Sequence, residues 1–371
     1  MDQDAVNFFK KKKSWSRYKD LILDYYLSPY LAKISHLKKP ILIVDCFAGP
    51  GKFEDGEIGS PLIISSHLNK YFEKGVEVKG YFIEKNDDLF SKLESNIGNN
   101  VFPTIVRKGS FQNYINELSE YAKTHTVFVY VDPIKPSQLS FEDLKSVYEQ
   151  LEKSNQSIET LINFMSFGFL RAIEGIKECI IDEKGVKAGH SGTLKWNSIA
   201  GGNYWQEILF CDKPPMKKVE FLASGYTKEL HRWFRYVLDY PVREKYEDTL
   251  PKYHLIFGSR HPDAVELINR AMVKARREFV GSRFVKGMLF DNRPPKEVVN
   301  EDEIKDFLLS VLNNIKKSTW KMLRVNTTLA YPCMYTDSEF DRNIKKLIQK
   351  KIIKSDSDGN RIENDAKIWI N

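Results

Sequence analysis

The chain has 371 residues, of which 42% are apolar and 29% charged, and its formal net charge is +7. This is the composition of a folded globular protein with one large or two modest domains, and it excludes a disordered or fibrous chain. The mild positive charge permits a nucleic-acid partner without requiring one.

Cysteine usage and hydropathy indicate the cellular compartment of the protein. The four cysteines are scattered without a CxxC pair, which favours reduced thiols and argues against a metal site. No window has the apolar length of a membrane span, and the basic N-terminus is not followed by a signal-peptide stretch. We therefore expect a cytoplasmic protein with no metal and no membrane partner; the oligomeric state stays open.

Residues 1–40 form a predicted N-terminal helical segment. Apolar side chains recur at helical spacing over residues 15–34, and Lys38-Lys39-Pro40 ends the pattern. Four consecutive lysines at 10–13 precede it. A solvated helix start is the simpler interpretation of this run, and contact with phosphates is the alternative.

Residues 41–290 alternate between apolar strands and helices. The pattern predicts helices between strands at 41–47, 78–86, 102–111, 126–133 and 159–167. Continuous apolar strands separated by helices indicate a parallel sheet covered on both faces. The predicted fold class is therefore α/β, a doubly wound, mostly parallel, Rossmann-like sheet, with a helical insertion around residues 168–250.

A linker and a small third region complete the chain. Residues 291–296, Asp-Asn-Arg-Pro-Pro-Lys, give the clearest linker pattern, and residues 300–371 are predicted as a winged-helix-like domain. Thr336 and Glu339 form a capping box before a helix at 338–350. One face of that helix offers basic side chains to nucleic acid, although a solvated or partner-binding face is an equal alternative: Arg342, Lys345, Lys346 and Lys350.

A glycine-rich turn follows the first predicted strand, in the run ILIVDCFAGPGKFEDGEIGSP (residues 41–61). Parallel sheets bind ligands at the carboxyl ends of their strands, where the strand order reverses. Glycines at such an end let the backbone approach a ligand. The spacing is neither GxGxxG nor GxxxxGK[ST], which argues against a dinucleotide site and a P-loop.

The pattern Asp-x-Phe-Ala-Gly-x-Gly resembles the first motif of class I S-adenosylmethionine-dependent methyltransferases. The resemblance implies S-adenosylmethionine as the cofactor. It places Glu84 on the ribose hydroxyls, and Asp132-Pro133 at the catalytic or substrate-orienting position. The remaining residues that it assigns to the cofactor are Asp45, Phe47, Ala48, Gly49, Gly51, Ser60, Pro61, Ser110 and Phe111.

The longer run DCFAGPGKFEDGEIGSP resembles the three-Cys-motif partner family. Further agreement comes from VDP at the fourth strand, LINFM at the fifth, GGNYWQEIL, and YHLIFGSRHPDAVELINRAM. The family name refers to cysteines of a companion protein, so the resemblance implies a three-Cys-motif companion. It also implies a phage- or defence-related setting.

The fourth strand departs from that family. It ends in Asp132-Pro133-Ile134-Lys135, without the aromatic residue that stacks a flipped-out base at this position. Phe164 or Phe167 could replace it, the substrate could be something other than a base, or catalysis could have been lost. Two functions therefore stay open. One is a methyltransferase acting on a base amino group or a partner-associated substrate; the other is a non-catalytic, cofactor-binding partner subunit.

Overall fold

The computed structural model describes residues 3–153, 156–182, 185–186, 191–243, 250–284, 299–357 and 363–370. Two compact units make up the chain: Met1–Asp20 with Tyr30–Arg260, and Leu21–Pro29 with His261–Asn371. The predicted linker at 291–296 lies outside the described residues. The predicted division into residues 1–40, 41–290 and 300–371 stays a prediction.

The described part of the chain up to residue 260 alternates between helices and strands. Its helices are α1 (Gln3–Phe8), α2 (Ser14–Ile34), α3 (Ser60–Phe72), α4 (Asp87–Ile97), α5 (Ile115–Ala122), α6 (Phe141–Tyr148), α7 (Gln150–Lys153), α8 (Ser166–Glu174), α9 (Lys177–Ile180), α10 (Ser191–Ala200), α11 (Tyr204–Phe210) and α12 (Pro215–Leu230). Its strands are β1 (Ile41–Asp45), β2 (Val78–Glu84), β3 (Thr104–Lys108), β4 (Thr126–Val131), β5 (Ile158–Phe164), β6 (Ile181–Asp182), β7 (Gly185–Val186), β8 (Tyr236–Val242) and β9 (Tyr253–Ser259).

Seven of these strands form one mostly parallel sheet in the order β3-β2-β1-β4-β5-β9-β8. Strands β1 to β5 pair in parallel, whereas β9 runs antiparallel to both β5 and β8. The predicted doubly wound, Rossmann-like sheet is thus confirmed. Because β2 lies on one side of β1 and β4 on the other, the strand order reverses at β1, where such sheets bind ligands.

The central strands are mostly apolar because both faces of the sheet are covered. Every residue of β1, β4 and β5 is buried. On one face, aromatic rings pack closely, with Phe164 stacked on Tyr226 at a centroid distance of 4.6 Å. This dense core fixes the strand ends that carry the site.

Strand β8 lies within the range 168–250, where the sequence predicts helices. It forms an edge of the sheet and contains Pro241, which an edge strand tolerates because no ladder hydrogen bond is required from its nitrogen. The preceding helix α12 ends at Leu230. The edge position of β8 explains why its sequence lacks the continuous apolar run of the central strands.

The second unit contains α13 (Pro262–Phe284), α14 (Glu301–Ile315), β10 (Lys317–Thr319), α15 (Trp320–Ala330), α16 (Asp337–Gln349), β11 (Ile353–Ser355) and β12 (Lys367–Ile370). Its three strands form an antiparallel sheet in the order β10-β12-β11. The predicted capping box is present: the backbone N–H of Thr336 donates to Glu339 at 2.7 Å, and α16 begins directly after it.

A buried arginine connects the elements of this second unit. Arg324 of α15 is 5% exposed. Its guanidinium donates to Glu266 at 2.8 Å, to Asp341 at 2.6 Å and to Asn364 at 2.9 Å. Because buried charges require such pairing, this arrangement is a structural core of the unit. None of the described helices is long and apolar enough to cross a membrane.

Candidate functional site

A cavity lies at the carboxyl ends of β1, β4 and β5. Its walls come from the glycine turn after β1, from Asp132 after β4, from Asn163 on β5 and from the start of α2. The cavity has a volume of about 70 Å³, and the side chains of Phe8 and Phe9 contribute to its lining. Ligand pockets usually enclose roughly 300 Å³ or more. The cavity is therefore smaller than a usual ligand pocket, and these two N-terminal rings form part of its wall.

The glycine turn owes its shape to backbone angles that glycine favours. Gly49 has a φ of +62°, Gly51 of +78° and Gly56 of +88°, all in the left-handed region. A bridge between Lys52 and Ile58 closes the second turn as a small hairpin. The two successive turns in the sequence thus form one folded loop beside the cavity.

The space beside Gly49 is filled by the ring of Phe9. A Cβ atom at Gly49 would lie 2.5 Å from Cζ of Phe9. The backbone also holds this N-terminal segment in place, because the carbonyl of Phe9 accepts the N–H of Glu54 at 3.0 Å. The glycine therefore allows an aromatic ring of the same chain to approach the turn.

We expect Gly49→Ala to destabilise the protein more than Gly56→Ala in urea unfolding. Both substitutions introduce a strained backbone, which costs about 1–2 kcal/mol. Gly56 has no atom within 4 Å of its would-be Cβ, whereas Gly49 has the Phe9 ring at 2.5 Å. Adding Phe9→Ala should remove the difference between the two variants. Equal losses in both, with or without Phe9, would contradict this account of the turn.

Asp45 is completely buried at the end of β1 and hydrogen-bonds to two residues of the turn. Its carboxylate accepts a hydrogen bond from Ser60 Oγ at 2.6 Å and from the N–H of Phe47 at 3.2 Å. Burial raises the pKa of Asp45 to about 7, although both hydrogen bonds oppose the shift. Ser60 lines the cavity and Asp45 does not, so Asp45 acts on the cavity wall through Ser60.

Glu84 at the end of β2 holds the first turn. Its Oε2 accepts the N–H of Gly49 at 2.9 Å, and its Oε1 accepts the N–H of Asn86 at 2.7 Å. Burial raises the pKa of Glu84 despite these two donors. Each carboxylate oxygen has two acceptor sites. The Lys85 N–H also hydrogen-bonds to this carboxylate, and the partly buried side chain keeps acceptor capacity for a further donor.

Asp132 after β4 is held by three neighbours. Lys19 Nζ forms an ion pair with both of its oxygens, Asn163 Nδ2 donates to Oδ1 at 2.7 Å, and the hydroxyl of Tyr130 lies 3.4 Å from Oδ2. The Asp132 side chain is 19% exposed and the Lys19 side chain 5%. This carboxylate is thus fixed in orientation and its charge is compensated within the cavity wall.

The structure brings some of the sequence-predicted residues to the cavity and leaves others beside it. The lining includes Phe47, Ala48, Gly51, Ser60, Asp132 and Pro133. Pro61 is buried in the first turn of α3, and Ser110 is half-buried at the end of β3. Phe111 is buried and packs edge-on against Phe47 at a centroid distance of 5.5 Å.

No protein-family model and no curated protein matches the chain. Among solved structures it is similar to the plantazolicin methyltransferase BamL in complex with a triazolic desmethylPZN analog and SAH, with 12% identity, a TM-score of 0.35 and coverage of 70% of this chain and 92% of that one. A putative methyltransferase from Bacillus halodurans matches with 12% identity and a TM-score of 0.25 over 62% and 97% of the two chains. Loganic acid methyltransferase with SAH matches with 10% identity and a TM-score of 0.25 over 66% and 94%. Similarities this weak decide neither family nor activity.

Sequence reasoning missed several residues of the cavity wall, among them Ser16, Lys19 and Asn163. Lys19 lies 113 residues from Asp132, and nothing local in a helical pattern marks it as an ion-pair partner. Asn163 had a visible signal, because it is a polar residue inside the apolar run LINF. Phe164, which the sequence offered as a stacking ring, is 1% exposed and lies in the core.

The basic residues predicted on the second unit are partly engaged within that unit. Lys346 pairs with Glu301 of α14 at 2.6 Å. Arg342 and Lys350 are exposed, and Lys345 is half-buried. Within the described residues, no group of three or more histidine, cysteine or acidic side chains could hold a metal ion.

Proposed function

We propose that this protein is an S-adenosylmethionine-dependent methyltransferase that acts on an amino group of a nucleic-acid base. The observation that carries the proposal is the convergence of three strand ends where the strand order reverses. The glycine turn follows β1, Glu84 ends β2, and Asp132 follows β4. Asp132 and the turn line one cavity, and Glu84 bonds to the turn.

The residues present fit such a cofactor. Glu84 keeps acceptor capacity for a ribose hydroxyl while it accepts the N–H groups of Gly49, Asn86 and Lys85. The Phe9 ring occupies the space beside Gly49, and any other residue at position 49 would place its Cβ atom in that space. The bound cofactor would supply a methyl group on a sulfonium. Binding requires Phe9 to leave the turn, so the N-terminal segment would open before cofactor enters.

The chain's own contribution to the reaction would be orientation and exclusion of water. Asp132 cannot reorient freely, because Lys19 and Asn163 hold both of its oxygens. A substrate amine that donates a hydrogen bond to Asp132 would be held in one orientation. Its proton can leave after the nitrogen has attacked the methyl group. Strong base catalysis is not required of Asp132.

Exposed lysines around the cavity mouth favour a nucleic-acid substrate. Two acidic side chains of the glycine turn pair with basic residues, Glu54 with Lys92 at 3.4 Å and Glu57 with Arg17 at 3.0 Å, whereas the exposed Asp55 accepts backbone N–H groups. An excess of positive charge attracts a polyanion. The half-buried Trp15 lies beneath one of these lysines at 4.6 Å. The exposed lysines are Lys10, Lys11, Lys13, Lys52 and Lys252.

Transfer of a labelled methyl group from S-adenosylmethionine tests the proposal, with single-stranded DNA, RNA and co-expressed companion protein as acceptors. We expect Asp132→Ala to lower transfer to nucleic acid at least about tenfold, because the oriented carboxylate is lost. Asp212→Ala, at an exposed loop position, is the matched control. Labelling of protein instead of nucleic acid would overturn the substrate assignment.

The alternative is a non-catalytic partner subunit in a phage- or defence-related system with a three-Cys-motif companion. The pairing of Asp132 with Lys19 favours it, because a substrate amine must compete with a lysine already in place. Cofactor binding without labelling of any acceptor, together with full support of the companion by Asp132→Ala, would establish this alternative.

We propose that the second unit binds nucleic acid under either function. Its order α14-β10-α15-α16-β11-β12, with a three-stranded antiparallel sheet, fits a winged-helix module. In such modules one helix enters the major groove. We propose α16 for that role, with Arg342, Lys345, Lys346 and Lys350 toward the phosphates.

A further inference from the structure

Two buried polar atoms in the cavity wall have no hydrogen-bond partner among the described residues. They are Oδ1 of Asn163 and Oγ of Ser16, and both residues line the cavity. Each residue is only 4% exposed. Buried polar groups are nearly always hydrogen-bonded, so two orphans in one cavity point to a ligand that supplies the partners.

The orientation of the Asn163 amide follows from its neighbour. Nδ2 donates to Asp132 Oδ1 at 2.7 Å, and an ionised carboxylate can only accept. The opposite orientation would set two acceptors against each other. Lys19 Nζ also donates to both oxygens of Asp132, so the carboxylate acts as an acceptor toward each of these neighbours. Asn163 Oδ1 is therefore a hydrogen-bond acceptor, and its missing partner would be an N–H or O–H donor.

Ser16 adds a second, more adaptable group. It lies on α2 one helical turn before Lys19, so the two side chains share a helix face. Its hydroxyl can donate as well as accept. The two residues thus bring one fixed acceptor and one group able to donate into the cavity wall. Aromatic side chains complete its walls: Trp15, Phe47, Phe53 and Tyr253.

We propose that Asn163 is the specificity-determining residue of this site, and that it selects a base with an exocyclic amine. Such an amine, next to a ring nitrogen that accepts, is present in adenine and cytosine. In hypoxanthine and uracil a carbonyl oxygen replaces the amine and would face Oδ1 as a second acceptor. The inference rests on the proposed function only for the choice of nucleic acid as substrate.

The test measures binding without cofactor. Fluorescence anisotropy would compare single-stranded oligodeoxynucleotides that differ at one central base, adenine against hypoxanthine and cytosine against uracil. We expect the amine-bearing base of each pair to bind at least about tenfold more tightly, since a site built to hydrogen-bond a group rejects analogues without it. Equal affinities, or no binding of any oligonucleotide, would overturn the proposal.

Two variants identify the residues responsible. Asn163→Leu keeps the side-chain shape and should reduce both affinity ratios to about one; Asn113→Leu, at an exposed position outside the cavity, should leave them unchanged. Ser16→Ala should weaken binding of the amine-bearing base yet raise the thermal midpoint, because it removes an unpaired buried hydroxyl. Retained ratios in Asn163→Leu, or a lowered midpoint in Ser16→Ala, would count against these roles.

The outcomes separate this inference from the proposed function. Base discrimination without any methyl transfer would overturn the methyltransferase proposal and support the role of Asn163. Methyl transfer to oligonucleotides of every base composition, without discrimination, would support the methyltransferase and overturn the inference.

Discussion

The Asp45→Asn variant should lose a large part of the pH dependence of stability between about pH 4 and pH 7. Burial raises the pKa of Asp45 from 3.8 to about 7 in the folded protein. Between these values the folded state binds a proton that the unfolded chain has released, so the free energy of unfolding falls as pH rises. At ~1.4 kcal/mol per pH unit, the wild-type protein loses about 4 kcal/mol over this window.

Urea unfolding of both proteins from pH 4 to pH 8 measures the effect. The side-chain amide of asparagine can still accept the N–H of Phe47 and contact Ser60, so the variant should fold. Asp239, whose pKa burial also raises to about 7, contributes equally to both curves and cancels in their difference. Parallel curves for wild type and variant would show that Asp45 is ionised in the folded protein.

Much of the sheet was predictable because each of its parallel strands has a local sequence pattern. Buried parallel strands need continuous apolar runs, and the runs at β1 to β5 are bounded by glycine, proline or polar residues. The glycine turn was predictable for the same reason, since positive φ angles at Gly49 and Gly51 select glycine. The prediction of a site at this sheet edge rests on these local features alone.

The partners of the site residues were not predictable, because they come from distant parts of the chain. Asp132 meets a lysine that stands 113 residues earlier, and a helical pattern gives no sign of such a contact. Phe9 reaches Gly49 from an N-terminal segment that has no strong pattern of its own. Sequence reasoning assigned the space at Gly49 to a ligand, whereas the structure shows a ring of the same chain there.

Helix α2 connects the charges of the site. Lys19 pairs with Asp132, and Lys12, just before this helix, pairs with Asp20 at 2.6 Å. Burial raises the pKa of Asp20 although Lys12 opposes the shift. Two buried ion pairs thus lie at the start of α2 and line or border the cavity. The N-terminal segment is part of the site and not an appendage to the sheet.

The Glu84→Gln variant should lose cofactor affinity by about two orders of magnitude. Glu84 accepts Gly49 N–H on one oxygen and Asn86 N–H on the other. Glutamine must turn its amide nitrogen toward one of these donors, and it retains a single oxygen for the ribose. An unpaired buried group costs ~1–3 kcal/mol, and the lost charged hydrogen bond adds a comparable amount.

Titration calorimetry with S-adenosylmethionine and S-adenosylhomocysteine measures the loss, and Glu54→Gln, at an exposed carboxylate on the glycine turn, is the matched control. The 2′-deoxy analogue of S-adenosylhomocysteine separates the two causes. If Glu84 accepts the ribose hydroxyl, deleting that hydroxyl should weaken binding to wild type more than binding to the variant. If the carboxylate only shapes the turn, both proteins should lose the same affinity on deletion. Undiminished cofactor affinity in Glu84→Gln would show that Glu84 does not bind the cofactor.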